Sequence, residues 1–190
     1  LQISEVVSSR RSCRKFSGEP IEQEKIDQLL ECANWAPSPA NKQPWEFVVV
    51  RRQELIHQFK NSVDTTKEIL AKRSGWKWVA AYKSDFLLQV PVLIVVVGDP
   101  AKNGLEQFLD APSQGYQEAC SAAVQNVLLA AESMGLASLW FSLFEKRDAR
   151  RLFGIEDNKD PLAVLCIGYS DEVTVAPPRK DIAAKVRYLD

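Results

Sequence analysis

Histidine is nearly absent: His57 stands alone in 190 residues. A mixed Cys/His zinc site therefore lacks ligands. The four cysteines, Cys13, Cys32, Cys120 and Cys166, are also too scattered to form a Cys-x-x-Cys pair. A Cys–His catalytic pair would need His57, whose setting (Glu54-Leu55-Ile56-His57-Gln58) is that of a surface helix. All cysteines but Cys13 lie in apolar stretches, so the thiols read as free, reduced and buried. Long hydrophobic runs are missing too. The longest covers residues 90–98, whereas a membrane-spanning helix needs about 20 residues. Leu1-Gln2-Ile3-Ser4-Glu5 lacks the basic-then-apolar order of a secretory signal, so the expected location is the cytoplasm. Nor does one sign of charge dominate: 24 Lys and Arg face 25 Asp and Glu, a net charge of -1. That balance argues against nucleic acid or a membrane as partner.

What is present is an ordinary core. Hydrophobic residues make up 46% of the chain, which excludes a largely disordered protein, and the length suits one domain. Residues 22–35 carry Ile26, Leu29, Leu30 and Ala33 at helical spacing and stop at Pro37 and Pro39. Residues 46–50 read as a buried strand, and 53–72 as a helix of mixed polarity. Residues 91–97 form the clearest strand, β-branched and without polar alternation, hence covered on both faces. The helix at 118–134 is rich in alanine and apolar almost all round, with Gly135 as its stop. Further strands are expected at 137–143 and 162–168, with a short helix at 146–153 between them. Trp76 and Trp78 are expected to pack, because aromatic rings carry so much area to bury. The order is not a clean βαβ repeat. It predicts an α+β fold, with helices on both sides of a central sheet.

Two segments carry chemistry. Arg10-Arg11-Ser12-Cys13-Arg14-Lys15 places four positive charges in six residues of an otherwise neutral chain. Such a run can be a solvated surface, a nucleic-acid patch or a phosphate clamp. The second lacks interleaved aromatics, while arginine forks and a serine hydroxyl suit the third. Ala36-Pro37-Ser38-Pro39-Ala40-Asn41-Lys42-Gln43-Pro44-Trp45 is a proline-stiffened loop between helix and strand. Ser38, Asn41 and Gln43 either satisfy turn backbone or read a heteroaromatic ring with alternating donors and acceptors. An anion clamp together with a ring-reading loop suggests a phosphorylated heterocycle such as FMN.

These residues carry a family resemblance. Arg10-Arg11-Ser12-x-Arg14-x-Phe16, the Pro20-Ile21 step, Trp35-Ala36-Pro37-Ser38 and Asn41-x-Gln43-Pro44-Trp45-x-Phe47 resemble the opening signature of FMN-dependent nitroreductases. The likeness continues at Pro91 to Val96, Met134-Gly135-Leu136, Leu165 to Tyr169 and Pro178-Arg179-Lys180. It implies a mixed, mainly antiparallel sheet flanked by helices, in a domain-swapped homodimer. Residues 1–170 would form the FMN-binding domain, and 171–190 an extension packing on the partner.

By the same resemblance Arg10, Arg11 and Ser12 hold the FMN phosphate, and Arg14 lies by the pyrimidine edge. Pro37, Ser38, Asn41 and Gln43 reach the partner's flavin. Trp140, Phe141 and Ser142 line the reactive ring edge, and Arg179 returns to the phosphate. Many relatives have glycine where this chain has Phe141-Ser142. The chemistry implied is ping-pong: NADH or NADPH reduces FMN, and a nitroaromatic or quinone reoxidises it, with Arg14 stabilising the charge gained. A reductive dehalogenase of iodotyrosine type is the rival within the family. Such enzymes use a Glu-x-x-x-Tyr pair and a later lysine in a lid. Here Glu68 is followed by Lys72, Tyr82 and Lys83 fall out of pattern, and a lid would lie within 60–85. A flavin-binding storage module without turnover is the rival outside it.

Overall fold

The structure is a computed structural model describing residues 2–110, 114–172 and 174–189. Its centre is a four-stranded antiparallel sheet in the order β1-β2-β4-β3, formed by β1 (Trp45–Val50), β2 (Val92–Gly98), β3 (Ala137–Phe141) and β4 (Asp160–Gly168). A mixed sheet is expected from the sequence, but the four strands pair only antiparallel. Among the described residues, the one parallel contact is an isolated bridge between Ser12 and Ser138.

The β2 run contains no polar residue because both its faces are covered. Val92, Ile94 and Val96 point to α2 (Gln23–Asn34) and α5 (Gly115–Ser133), while Leu93, Val95 and Val97 point to the opposite core. That second core is closed by α3 (Gln53–Ser74) and α6 (Lys146–Phe153). Ile56, Phe59 and Val63 recur at helical spacing along α3, and Phe59 meets the rings of Phe141, Phe144 and Phe153 at 5.5–6.0 Å. On the first side, Ala119, Ala123 and Ala131 let α5 lie close on the sheet and on α2. Asn126 Nδ2 donates to Cys32 O across that helix pair at 3.0 Å. Before the sheet, α1 (Ile3–Ser9) rests on α5 with Val6 buried.

Gly75 ends α3 in the left-handed region (φ 68°), and the chain turns at once into α4 (Lys77–Ala81). Here the expectation of packed tryptophans fails. A five-residue helix turns one narrow face inward, and Val79 occupies it, which leaves Trp76 60% and Trp78 58% exposed. Cys13, Cys120 and Cys166 are buried as expected of the thiols, whereas Cys32 departs from that expectation and is only half-buried. Among the described residues, no helix is long and apolar enough to cross a membrane. From Asp171 onward every described residue is exposed, including Val175, Ile182 and Tyr188.

Candidate functional site

The basic segment is laid along the open edge of β3. Cys13 N donates to Ser138 O at 2.9 Å, and Ser12 bridges Ser138, so residues near 12 run as a short parallel strand. In such a strand successive side chains alternate. Cys13 enters the core beside Phe16 and Phe86, which turns Ser12 and Arg14 to the exposed side and leaves Arg10 half-buried. The apolar cysteine inside the charged run is therefore the anchor that orients it. Arg11 shares the parity of Cys13 and faces the other way. Its Nη1 donates to Ser8 O and Arg10 O, each at 2.7 Å, and its Nε is buried with no acceptor among the described residues. It borders a hollow of about 280 Å³ that Glu132, Ser170, Glu172 and Thr174 also line. Among the described residues none of Arg10, Arg11 and Arg14 joins an ion pair. Arg10 and Arg14, with the exposed Ser12 hydroxyl between them, have the donor chemistry to hold an anion.

Arg14 Nε donates to Tyr82 Oη at 3.2 Å, and the guanidinium carbon lies 6.0 Å from that ring's centre. Tyr82 in turn packs on Phe141 at 6.5 Å. A hollow of about 410 Å³ opens beside Arg14, lined by Lys83, Asp85, Phe86 and Gln89. Arg10, Ser12, Arg14, Trp140, Phe141 and Ser142 are thus assembled along one sheet edge. Phe141 has its ring in the core, while Trp140 and Ser142 are exposed. Only the Phe141 backbone is left to face a ligand.

Sequence reasoning missed the clamp that holds this corner. Asp64 on α3 accepts from Ser84 Oγ at 2.6 Å, from Lys60 Nζ at 2.7 Å and from Lys67 Nζ at 3.2 Å. Lys60 also reaches Asp85 at 3.0 Å. Burial pushes the Asp64 carboxyl up, but the hydrogen bonds from Lys60, Ser84 and Lys67 outweigh it and hold it below the usual carboxylate range. Lys60 is raised, mainly by its hydrogen bonds to Asp64 and Asp85. The clamp fixes Ser84 and Asp85, and with them the backbone that presents Tyr82 to Arg14. Its members lie up to 25 positions apart, so no local pattern announces them.

The proline-rich loop is built differently. Ala40, Asn41 and Gln43 have φ of 48°, 52° and 45° without a glycine among them. Each such residue stores about 1–3 kcal/mol and must be held in place. The restraints are visible: Gln43 N donates to Ser38 Oγ (3.0 Å), Gln43 Nε2 to Asn41 Oδ1 (3.1 Å) and Asp99 N to Pro44 O (2.8 Å). Trp45 Nε1 closes on Asn34 Oδ1 at 3.1 Å. Lys159 braces the strand behind, at 2.8 Å from both Glu46 and Asp99. Pro37, Asn41 and Gln43 are exposed and Ser38 half-buried.

The structure does not bring this loop to the arginines. Trp45 is level with Gly98 and Asp160, whereas Ser138 is level with Ile167, three strands across and seven residues along. At strand spacing and rise, the two segments stand roughly 25 Å apart at opposite corners of the sheet. Arg179 lies in the exposed tail.

Comparison with known proteins gives this arrangement a context. Residues 7–169 match the family model described as the nitroreductase family. A Methanothermobacter thermautotrophicus protein named as an NADH dehydrogenase/NAD(P)H nitroreductase is 30% identical over 90% of this chain and 79% of its own length. Iodotyrosine deiodinase 1 of Rattus norvegicus is 31% identical over 93% of this chain, which spans 65% of that protein. A crystal structure of an iodotyrosine deiodinase bound to FMN and 3-iodo-L-tyrosine shares the fold at 24% identity, with a TM-score of 0.79 and all of both chains covered. Matched along nearly all of its sheet and helices, the chain belongs to the nitroreductase family.

Proposed function

We propose that the chain is an FMN-dependent oxidoreductase that takes electrons from NADH or NADPH, works as a homodimer, and reduces nitroaromatics, quinones or similar electron-poor acceptors in a ping-pong cycle. The observation that carries this reading is the separation of the two ligand-reading segments. An edge carrying Arg10, Ser12 and Arg14 and a strained polar loop stand roughly 25 Å apart in one chain. A second copy supplies the loop where one copy supplies the edge. Surface for that pairing exists: Val6, Cys32, Trp35, Leu129 and Met134 border an apolar groove of about 700 Å³. The exposed apolar tail provides more.

FMN, when bound, supplies the hydride chemistry that no side chain here provides. Arg10 and Ser12 would hold the phosphate, with Arg11 turning from its own hollow to join them and Arg179 joining once the tail is seated. Arg14, braced by Tyr82, keeps a fixed positive charge at the pyrimidine edge, a donor needing no reorganisation as charge develops. Trp140, Phe141 and Ser142 border the ring along the β3 edge. Residues 37–43 of the second copy, with Pro37, Ser38, Asn41 and Gln43, close over it and exclude water.

The test is anaerobic. Purified protein supplied with FMN should elute as a yellow dimer, bleach on addition of NADH or NADPH, and recolour with a quinone. A protein that stays yellow is a storage module instead, and one that refuses FMN overturns the whole reading. The deiodinase relatives support a second reading, reductive dehalogenation. Adding 3-iodotyrosine to the bleached protein decides it, since recolouring with iodide release favours that reading over quinone or nitro reduction.

A further inference from the structure

Lys159 stands in the turn before β4 and reaches along the end of the sheet. Its Nζ lies 2.8 Å from Asp99, just past β2, and 2.8 Å from Glu46 on β1. Its backbone is held from two sides: Lys159 N donates to Glu156 O at 3.1 Å, and Arg150 Nε on α6 donates to Lys159 O at 2.9 Å. The inner pair is shielded, with 15% of the Lys159 and 14% of the Asp99 side chain exposed, whereas Glu46 is 54% exposed. Among the described residues neither carboxylate has another ion-pair partner. The hydrogen bond from Lys159 is the largest cause holding the Asp99 carboxyl below its usual range, and Asp99 is the largest cause raising Lys159.

Asp99 is also where the strained loop is fastened. One step beyond the Trp45–Gly98 pair of the β1–β2 ladder, Asp99 N donates to Pro44 O at 2.8 Å. Pro44 follows directly on Gln43, the last of the three left-handed residues. Such a backbone persists only where its surroundings over-determine it. The Asp99 carboxylate is divided: Oδ1 accepts from Ala101 N at 3.0 Å and Oδ2 from Lys159. Removing the ammonium leaves a shielded carboxylate without its counter-charge, and turning it to water relieves the penalty. The N–H that holds Pro44 turns with it, and the loop loses its fastening.

We propose that Lys159 is a positioning residue for the flavin of the partner subunit: it fixes Asp99, Asp99 fixes Pro44, and Pro44 sets the backbone that presents Asn41 and Gln43 to the other copy's FMN. This rests on the two-copy flavin site proposed above. Lys159 touches no cofactor in either copy. Its loss damages the site whose phosphate is held by the other chain and spares the arginine edge of its own.

The test measures FMN affinity by flavin fluorescence in wild type, Lys159→Met, Lys159→Arg and Arg10→Ala. Lys159→Met keeps the aliphatic stem and should weaken FMN by about tenfold, within the range by which a distant group couples to a ligand. Lys159→Arg, whose fork can serve both carboxylates, should recover most of that loss. So should Lys159→Met/Asp99→Asn, which leaves no unpaired carboxylate to turn outward and also serves where the single variant fails to fold. Mixed dimers of Lys159→Met and Arg10→Ala, purified through a different tag on each chain, supply the decisive readout. They join the intact arginines of one chain to the intact loop of the other, so each dimer should regain one tight site. In protein without FMN, amide exchange at Asn41, Lys42 and Gln43 should quicken more than that of β2 in Lys159→Met. Wild-type affinity in Lys159→Met overturns the proposal. So does a mixed dimer without a tight site, which would place the effect within the variant's own chain. Refusal of FMN by wild type overturns the proposed function instead, and the exchange comparison still decides whether Lys159 sets the loop.

Discussion

Replacing Asp64 by Asn tests whether the corner that presents Tyr82 to Arg14 is held by charge. Asn keeps the shape of the side chain but removes the negative charge and one of the two acceptor oxygens that serve Lys60, Lys67 and Ser84. Hydrogen bonds to an ionised group contribute about 1.5–3 kcal/mol when buried. A third of the Asp64 side chain still meets water, which screens the pair, and Lys60 retains Asp85. The expected loss is therefore about 2 kcal/mol, or roughly 4–8 °C in Tm for a chain of this length. Ser84 is buried, so Ser84→Ala should lose about 1 kcal/mol. The double variant should lose less than the sum, because both singles remove the same hydrogen bond. The pH dependence has a definite sign. The folded-state pKa of Asp64 is depressed, so its contribution is complete above the unfolded carboxylate pKa and disappears as pH falls through the folded value. Lys60 is raised, so its share persists below the unfolded lysine pKa and is lost as pH climbs through the folded one. Denaturant unfolding followed by circular dichroism, at neutral and at acid pH, gives both numbers. Wild type and Asp64→Asn should converge in acid. Full additivity of the two substitutions, or a gap that does not close in acid, refutes the clamp.

The elements that rest on local pattern were legible. Strand β2 and helix α5 are long apolar segments whose period and composition leave few alternatives, and Gly154 ends α6 as a left-handed cap (φ 67°). The candidate site was legible as two segments, but not as a geometry. Which arginines face outward depends on the parity that Cys13 and its bond to Ser138 impose, a pairing 125 residues distant in sequence. Gln43 and Ala40 carry no sign of a left-handed backbone, since neither residue type favours it. Their conformation is imposed by Ser38, Asp99 and Trp45 from outside. The tryptophans of α4 misled for the opposite reason. Their size argues for burial, but the helix that carries them is too short to turn them both inward.

Arg10→Ala should weaken FMN binding by about 10- to 100-fold, the range of one charge-assisted hydrogen bond, while Arg14→Ala should chiefly slow anaerobic bleaching; equal effects of both variants on both properties would remove the division of roles. Burial, helped by the Asp160 charge, pushes the Cys120 thiol up to about 12, and burial also raises Cys166. A disulfide reagent at neutral pH should therefore leave Cys120 and Cys166 unmodified until the protein is denatured, as intact-mass measurement would show. The loop offers the cleanest separation of stability from function. Ala40 holds φ 48°, where an L-residue is strained by about 1–2 kcal/mol and glycine is not. Glycine's looser unfolded chain offsets about 0.4–1 kcal/mol of that relief, so Ala40→Gly should leave the protein equally stable or up to about 1 kcal/mol more stable. The same added freedom should blur the position of Asn41 and Gln43, so FMN affinity should fall while Tm holds or rises. A variant that loses stability would show that the strain at Ala40 is absent. One that gains stability and binds FMN unchanged would show that the loop's fixed backbone plays no part in reading the ring.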